Sequence, residues 1–207
     1  MISSPSRIRS IKNFLVRAAA LGVMAVSLQA CIGMAVGTAV VGTMAATDRR
    51  TLGAQTEDKE IAVRGEARIN NLFGSLAHVN VTSYNRKVLL TGEVRDAEAK
   101  QTAEREIAAI QGVSSVVNEL EVADLSNYTS RSSDTLITTK VKASFVDQKD
   151  MSVSVFKVVT ERGVVYLMGR VLPAEGRLAG EVASGVSGVR KVVKLFEYIN
   201  RDEVRVN

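Results

Sequence analysis

Apolar positions along this chain recur with two different periods, and the same succession of periods occurs twice. Residues 57–73 carry apolar side chains at helical spacing. Two runs rich in β-branched residues follow, 77–84 and 87–94, joined by Tyr84-Asn85-Arg86-Lys87, a turn-prone link. Residues 96–110 return to the helical period, with Ala99, Ala103, Ile107 and Ile110 on one face. Gly112 ends that helix, and a last β-branched run covers 113–122. The second pass reads the same way. It has a helix over 134–146, a hairpin turning at Glu161-Arg162-Gly163, and a helix opening at Pro173, a residue suited to the first helical turn. Gly188 closes that helix, and a strand follows over 189–199.

The two passes align residue by residue. Val81, Val88, Leu90 and Val94 fall on Val158, Val165, Leu167 and Val171. Ile110-Gln111-Gly112-Val113 falls on Val186-Ser187-Gly188-Val189, and Asp58 and Ile61 fall on Asp134 and Ile137. The predicted fold class is therefore α+β: two tandem α-β-β-α-β units, each with its helices on one face of a small mixed sheet. A unit of roughly 65 residues buries a limited core, so packing of the two copies against each other is expected. The division is 57–122 and 134–200 for the units, 123–133 for the linker and 201–207 for a tail.

The first 47 residues follow a different pattern. Arg7, Arg9, Lys12 and Arg17 precede an apolar run that ends at Leu28-Gln29-Ala30-Cys31, and no acidic residue occurs before Asp48. Basic, apolar and small-residue zones in that order make an export signal. The last four residues resemble the bacterial lipobox, with Gln29 where a small residue is usual. That resemblance implies cleavage after residue 30 and acylation of Cys31. It makes 31–56 a lipidated tether, of which 47–56 is its distal part. Ile32, in place of Asp, implies the periplasmic face of the outer membrane. An uncleaved span is the rival reading. Residues 18–47 carry no charge, enough to cross about 30 Å of hydrocarbon, although four glycines and Gln29 interrupt them. Cys31 is the only cysteine, so no disulfide or Cys-x-x-Cys site exists.

Charge changes meaning once the leader is set aside. The chain has 27 Lys and Arg against 22 Asp and Glu, and four of the basic residues precede Cys31. The remaining near-balance gives no reason to expect nucleic-acid binding. Residues 57–125 hold 8 basic and 12 acidic side chains, whereas 126–207 hold 13 and 9. The first unit is acidic and the second basic. No nucleophile, phosphate-loop or dinucleotide motif is present, so the chain does not read as an enzyme. His78 is the single histidine, and no run of metal-ligand spacing occurs, so neither metal nor cofactor is expected.

The stretch Val88-Leu89-Leu90-Thr91-Gly92-Glu93-Val94, then an alanine-rich helix and a Gly-Val-x-x-Val strand, resembles the BON domain. Two such units behind a lipobox resemble the dual BON-domain outer-membrane lipoproteins. The resemblance implies a non-enzymatic periplasmic protein that supports outer-membrane integrity, in some members at division sites. It also implies that the second domain's first helix binds anionic phospholipid. In this chain, that helix sets Ile137, Val141 and Phe145 on a core stripe. Leu136, Thr139, Ala143 and Val146 lie on the opposite side, flanked by Lys140 and Lys142. An apolar patch edged with lysines suits anionic headgroups. Ser133 and Asp134 read as the helix cap. The lipid-contact set is thus Ser133, Leu136, Ile137, Thr139, Lys140, Lys142, Ala143 and Val146. Leu136 stands where the family places Trp, which removes an interfacial aromatic anchor. The first unit has Glu60, Arg64 and Glu66 instead, and fits recruitment of envelope proteins.

Overall fold

A computed structural model describes residues 48–148 and 151–205. Cys31, the leader and most of the tether lie outside the described residues. In the first domain, helix α1 spans Leu52–Phe73. Thr51 caps it, its hydroxyl accepting from the Ala54 N–H at 3.1 Å. Ile61, Gly65 and Ile69 form the buried stripe of α1. Strands β1 (His78–Tyr84) and β2 (Lys87–Val94) pair antiparallel, with His78 opposite Glu93 and Tyr84 opposite Lys87. Asn85 and Arg86 both take positive φ, 48° and 67°, as a two-residue hairpin of matching twist requires. Helix α2 (Ala97–Ala108) is capped by Asp96, and its buried face is Ala99, Ala103 and Ile107. β3 (Ser115–Asn118) and β4 (Glu121–Val122) then run parallel to β2.

The second domain repeats this plan. Helix α3 (Tyr128–Val146) precedes β5 (Phe156–Glu161), β6 (Val164–Val171), α4 (Pro173–Ser184) and β7 (Lys191–Tyr198). A short α5 (Arg201–Arg205) follows. The register repeats as well: Val81 opposes Leu90 as Val158 opposes Leu167, and Val88 lies beside Val116 as Val165 lies beside Val192. Two glycines hold equivalent places for one reason. A Cβ on Gly92 would lie 1.9 Å from the His78 carbonyl oxygen, and one on Gly169 would lie 2.6 Å from that of Val155. The third strand differs between domains. In the first, the Asn118 side chain accepts from the Leu120 N–H and donates to Lys100 O on α2, which breaks the strand and tucks Leu120 into the core. β7 runs unbroken.

Each sheet is buried on both faces. Val88, Leu90 and Val94 face the helices of the first domain; Val165, Leu167 and Val171 face those of the second. The alternate residues Leu89 and Tyr84 meet Tyr166 and Met168 in a third cluster between the sheets. The described residues therefore form helix, sheet, sheet, helix layers. Tyr84 ties them further, its hydroxyl donating to Val155 O at 3.2 Å and accepting from the Arg170 N–H.

Both leading helices start earlier than apolar spacing predicts. α1 begins at Leu52, inside the expected tether, and α3 begins at Tyr128, inside the expected linker, so only 123–127 connect the domains. Asn127 is the α3 cap, accepting from the Ser130 N–H. Ser133 and Asp134 are therefore mid-helix residues and do not cap it. Asp134 is buried and accepts from the N–H groups of Arg162 and Gly163, both at 2.8 Å, closing the β5–β6 turn. Asp58, its repeat partner, closes the β1–β2 turn through Asn85 and Arg86.

Candidate functional site

The outer face of α3 carries the residues singled out in the sequence. Asp134, Ile137, Val141 and Phe145 are buried at helical spacing and pin the inner face to β5 and the second core. Ile137, only 6% exposed, belongs to that core and is not available to a surface ligand. Ser133, Leu136, Thr139, Lys140, Lys142, Ala143 and Val146 are exposed. Leu136 is 62% and Val146 68% exposed, large values for apolar side chains on a helix. They lie ten residues apart, so the apolar face runs about 15 Å along the helix. None of the ion pairs among the described residues involves Lys140 or Lys142.

Beside this face, α3 and α4 border an open groove of about 620 Å³, lined in part by Lys140, Ala143, Asp147, Glu181 and Val186. Asp147 and Glu181 set negative charge in it beside Lys140.

At the other end of α4, the chain entering the fold is strapped to the second domain. Arg49 donates to both carboxylate oxygens of Glu175, at 2.6 and 2.7 Å, and to Arg170 O at 3.0 Å; Arg170 donates back to Arg49 O at 2.9 Å. Burial pushes the Glu175 carboxyl up, but hydrogen bonds from Arg49 and the Leu172 N–H, with the Arg49 charge, hold it below its ordinary value. Arg50 turns the other way, pairing with Asp48 and Asp58 and stacking over the Tyr84 ring at 4.0 Å.

A second polar cluster was not legible in linear spacing. His78 and Glu93 are cross-strand partners at the end of the first hairpin, and Glu161 comes from the end of β5 in the other domain. Ligand atoms from all three lie within 4.8 Å of one another. Linear spacing did not bring these residues together, because the grouping requires both domains. His78 Nδ1 lies 3.1 Å from Glu93 Oε2, which also accepts from the Ser126 N–H and hydroxyl. Glu161 accepts from Asn80 at 2.8 Å. Burial raises the Glu161 carboxyl above its usual value, against the lowering effect of His78 and Asn80.

Comparison with known proteins fits this architecture. The BON domain profile matches residues 57–124 and 133–200. The chain is 37% identical to the outer membrane lipoprotein DolP of Haemophilus influenzae over 180 residues, covering 84% of this chain and 91% of that one. It is 32% identical to a 21 kDa hemolysin of Actinobacillus pleuropneumoniae over 154 residues, 73% of this chain and 79% of the other. Among solved structures, CdsD, a structural protein of the type III secretion system of Chlamydia trachomatis, is similar over 70% of this chain and 95% of its own, at 11% identity and a TM-score of 0.31. No described helix is long and apolar enough to cross a membrane. Matched twice by the BON profile and along most of its length by a lipoprotein of the outer membrane, the chain belongs to the dual BON-domain outer-membrane lipoprotein family of the DolP type.

Proposed function

We propose that this protein is anchored through Cys31 on the periplasmic face of the outer membrane, binds anionic phospholipid through the outer face of α3, and thereby supports envelope integrity. The observation that carries the reading is the exposure of Leu136 and Val146 beside two lysines outside every described ion pair. Burying two such side chains in the interfacial region contributes about 1.5–3 kcal/mol each, and each lysine near an anionic surface about 1 kcal/mol. Leucine in place of an aromatic keeps the burial and loses the polar handle. The lipid anchor holds the helix near the bilayer, so modest intrinsic affinity acts at high effective concentration.

The test uses vesicles containing phosphatidylglycerol and vesicles of a zwitterionic lipid, with the chain carrying Cys31→Ser so that the acyl anchor does not mask the helix. We expect binding to the anionic vesicles alone, weakened at least tenfold by Leu136→Glu with Lys140→Glu. Binding that the double substitution leaves unchanged removes α3 from the reading, and no binding to either vesicle overturns lipid recognition. Recruitment of an envelope protein through the first domain is the second reading. It is favoured by the exposed apolar residues Val63, Leu72 and Leu76 on and after α1. Crosslinking in intact cells at Val63 distinguishes it.

A further inference from the structure

We propose that His78, Glu93 and Glu161 form a binding site for a divalent transition-metal ion of the Zn²⁺ class, a clamp between the two BON domains that acts independently of the α3 face. The donor set is one imidazole nitrogen and two carboxylates. Carboxylates alone favour Mg²⁺, Ca²⁺ or Mn²⁺, and adding an imidazole shifts the preference toward Zn²⁺.

The carboxylates are not a surface acidic patch. Glu93 is 0% exposed and Glu161 is 7% exposed. Glu93 Oε1 accepts no hydrogen bond; Arg162 Nη1 pairs with it at 3.5 Å and donates none itself. A buried carboxylate oxygen held by so long a contact retains capacity to bind a cation. Charge points the same way. Glu93, Glu161, Glu121 and Asp134 surround the cluster, against Arg162 and Arg131.

The site has access and room. A cavity of about 260 Å³ reaches both His78 and Glu161, and Asn80, Thr138 and Thr160 line it too. That is room for several waters at about 30 Å³ each, so oxygen ligands could complete the coordination that three protein donors leave open. Cross-strand pairing fixes His78 against Glu93, and Ser126 orients the Glu93 carboxylate from behind. Only Glu161 must be brought by the other domain, so occupancy and domain packing are coupled.

The experiment titrates Zn²⁺ into the full chain, purified in detergent and stripped with a chelator, and follows heat of binding and the visible spectrum of Co²⁺ substituted for Zn²⁺. We expect one equivalent bound. Glu161→Gln keeps an acceptor for Asn80, and it should weaken binding by more than the roughly 10–100-fold that loss of an outer hydrogen-bond partner costs. His78→Ala should do the same and remove the nitrogen-ligand signature of Co²⁺. Glu181→Gln, on α4, should bind as the parent does. Circular dichroism checks each fold; if His78→Ala is misfolded, Glu161→Gln decides alone. No uptake by the parent, or uptake that Glu161→Gln leaves unchanged, overturns the site.

Discussion

Two aspartates at equivalent places in the repeat, Asp58 and Asp134, each reach from a leading helix to the hairpin turn about 28 residues on. The alignment of the two passes put them in register, but nothing local names their partners, because a buried aspartate and a helix cap look alike in sequence. The distinction is measurable. Asp134→Ala removes two charge-assisted bonds to backbone N–H groups and should lower stability by about 3 kcal/mol. Ser133→Ala, at an exposed mid-helix position, should stay within about 0.5 kcal/mol, whereas removal of a true cap would cost about 1. Urea denaturation of the two variants decides between these. Ile137 carries the same lesson for the lipid face: its place on the core stripe was readable from helical spacing, and its burial withdraws it from any surface list.

Helix spacing located the ends of the leading helices but not their beginnings. After Tyr128, the first turns of α3 are Thr129, Ser130, Arg131, Ser132 and Ser133, which carry no apolar stripe; the Asn127 cap and the Arg131 bond to the Ser126 hydroxyl support the helix there. At the start of α1 the missing signal was tertiary: Arg49 and Arg50 grip different domains. This strap has a pH signature. Because the Glu175 carboxyl is held below its ordinary value, its contribution is complete above the unfolded value of about 4.3 and is lost as pH falls through the lower folded value. The protection of amides 50–56, exchange rates taken relative to the intrinsic rate at each pH, should therefore fall on acidification below that point. In Glu175→Gln their protection should already be low at neutral pH, with less further change.

At the scale of the whole molecule, the two sheets share one apolar seam, and the repeat is what predicts it. β2 and β6 are buried along nearly their whole length, on both sides of the strand, even where β2 carries Thr91 and Glu93. What the sequence withheld is which polar residues the seam brings together, since His78 and Glu161 meet only through the packing of both domains. The parent should unfold in a single calorimetric transition. Leu89→Ala should cost about 2–5 kcal/mol, and Leu89→Asp, placing a carboxylate in the seam, should split the transition in two.

The Arg49 strap also sets a load path. Whatever tension reaches Asp48 along the chain meets a bidentate ion pair on the second domain before it can peel α1 from the first. The grip pulls across Glu175, at the first turn of α4, while Arg50 and Asp58 fasten the other domain. Drag on an envelope-tethered body would thus be shared by both domains at once, and the fold would resist it as one piece rather than unravel from its end.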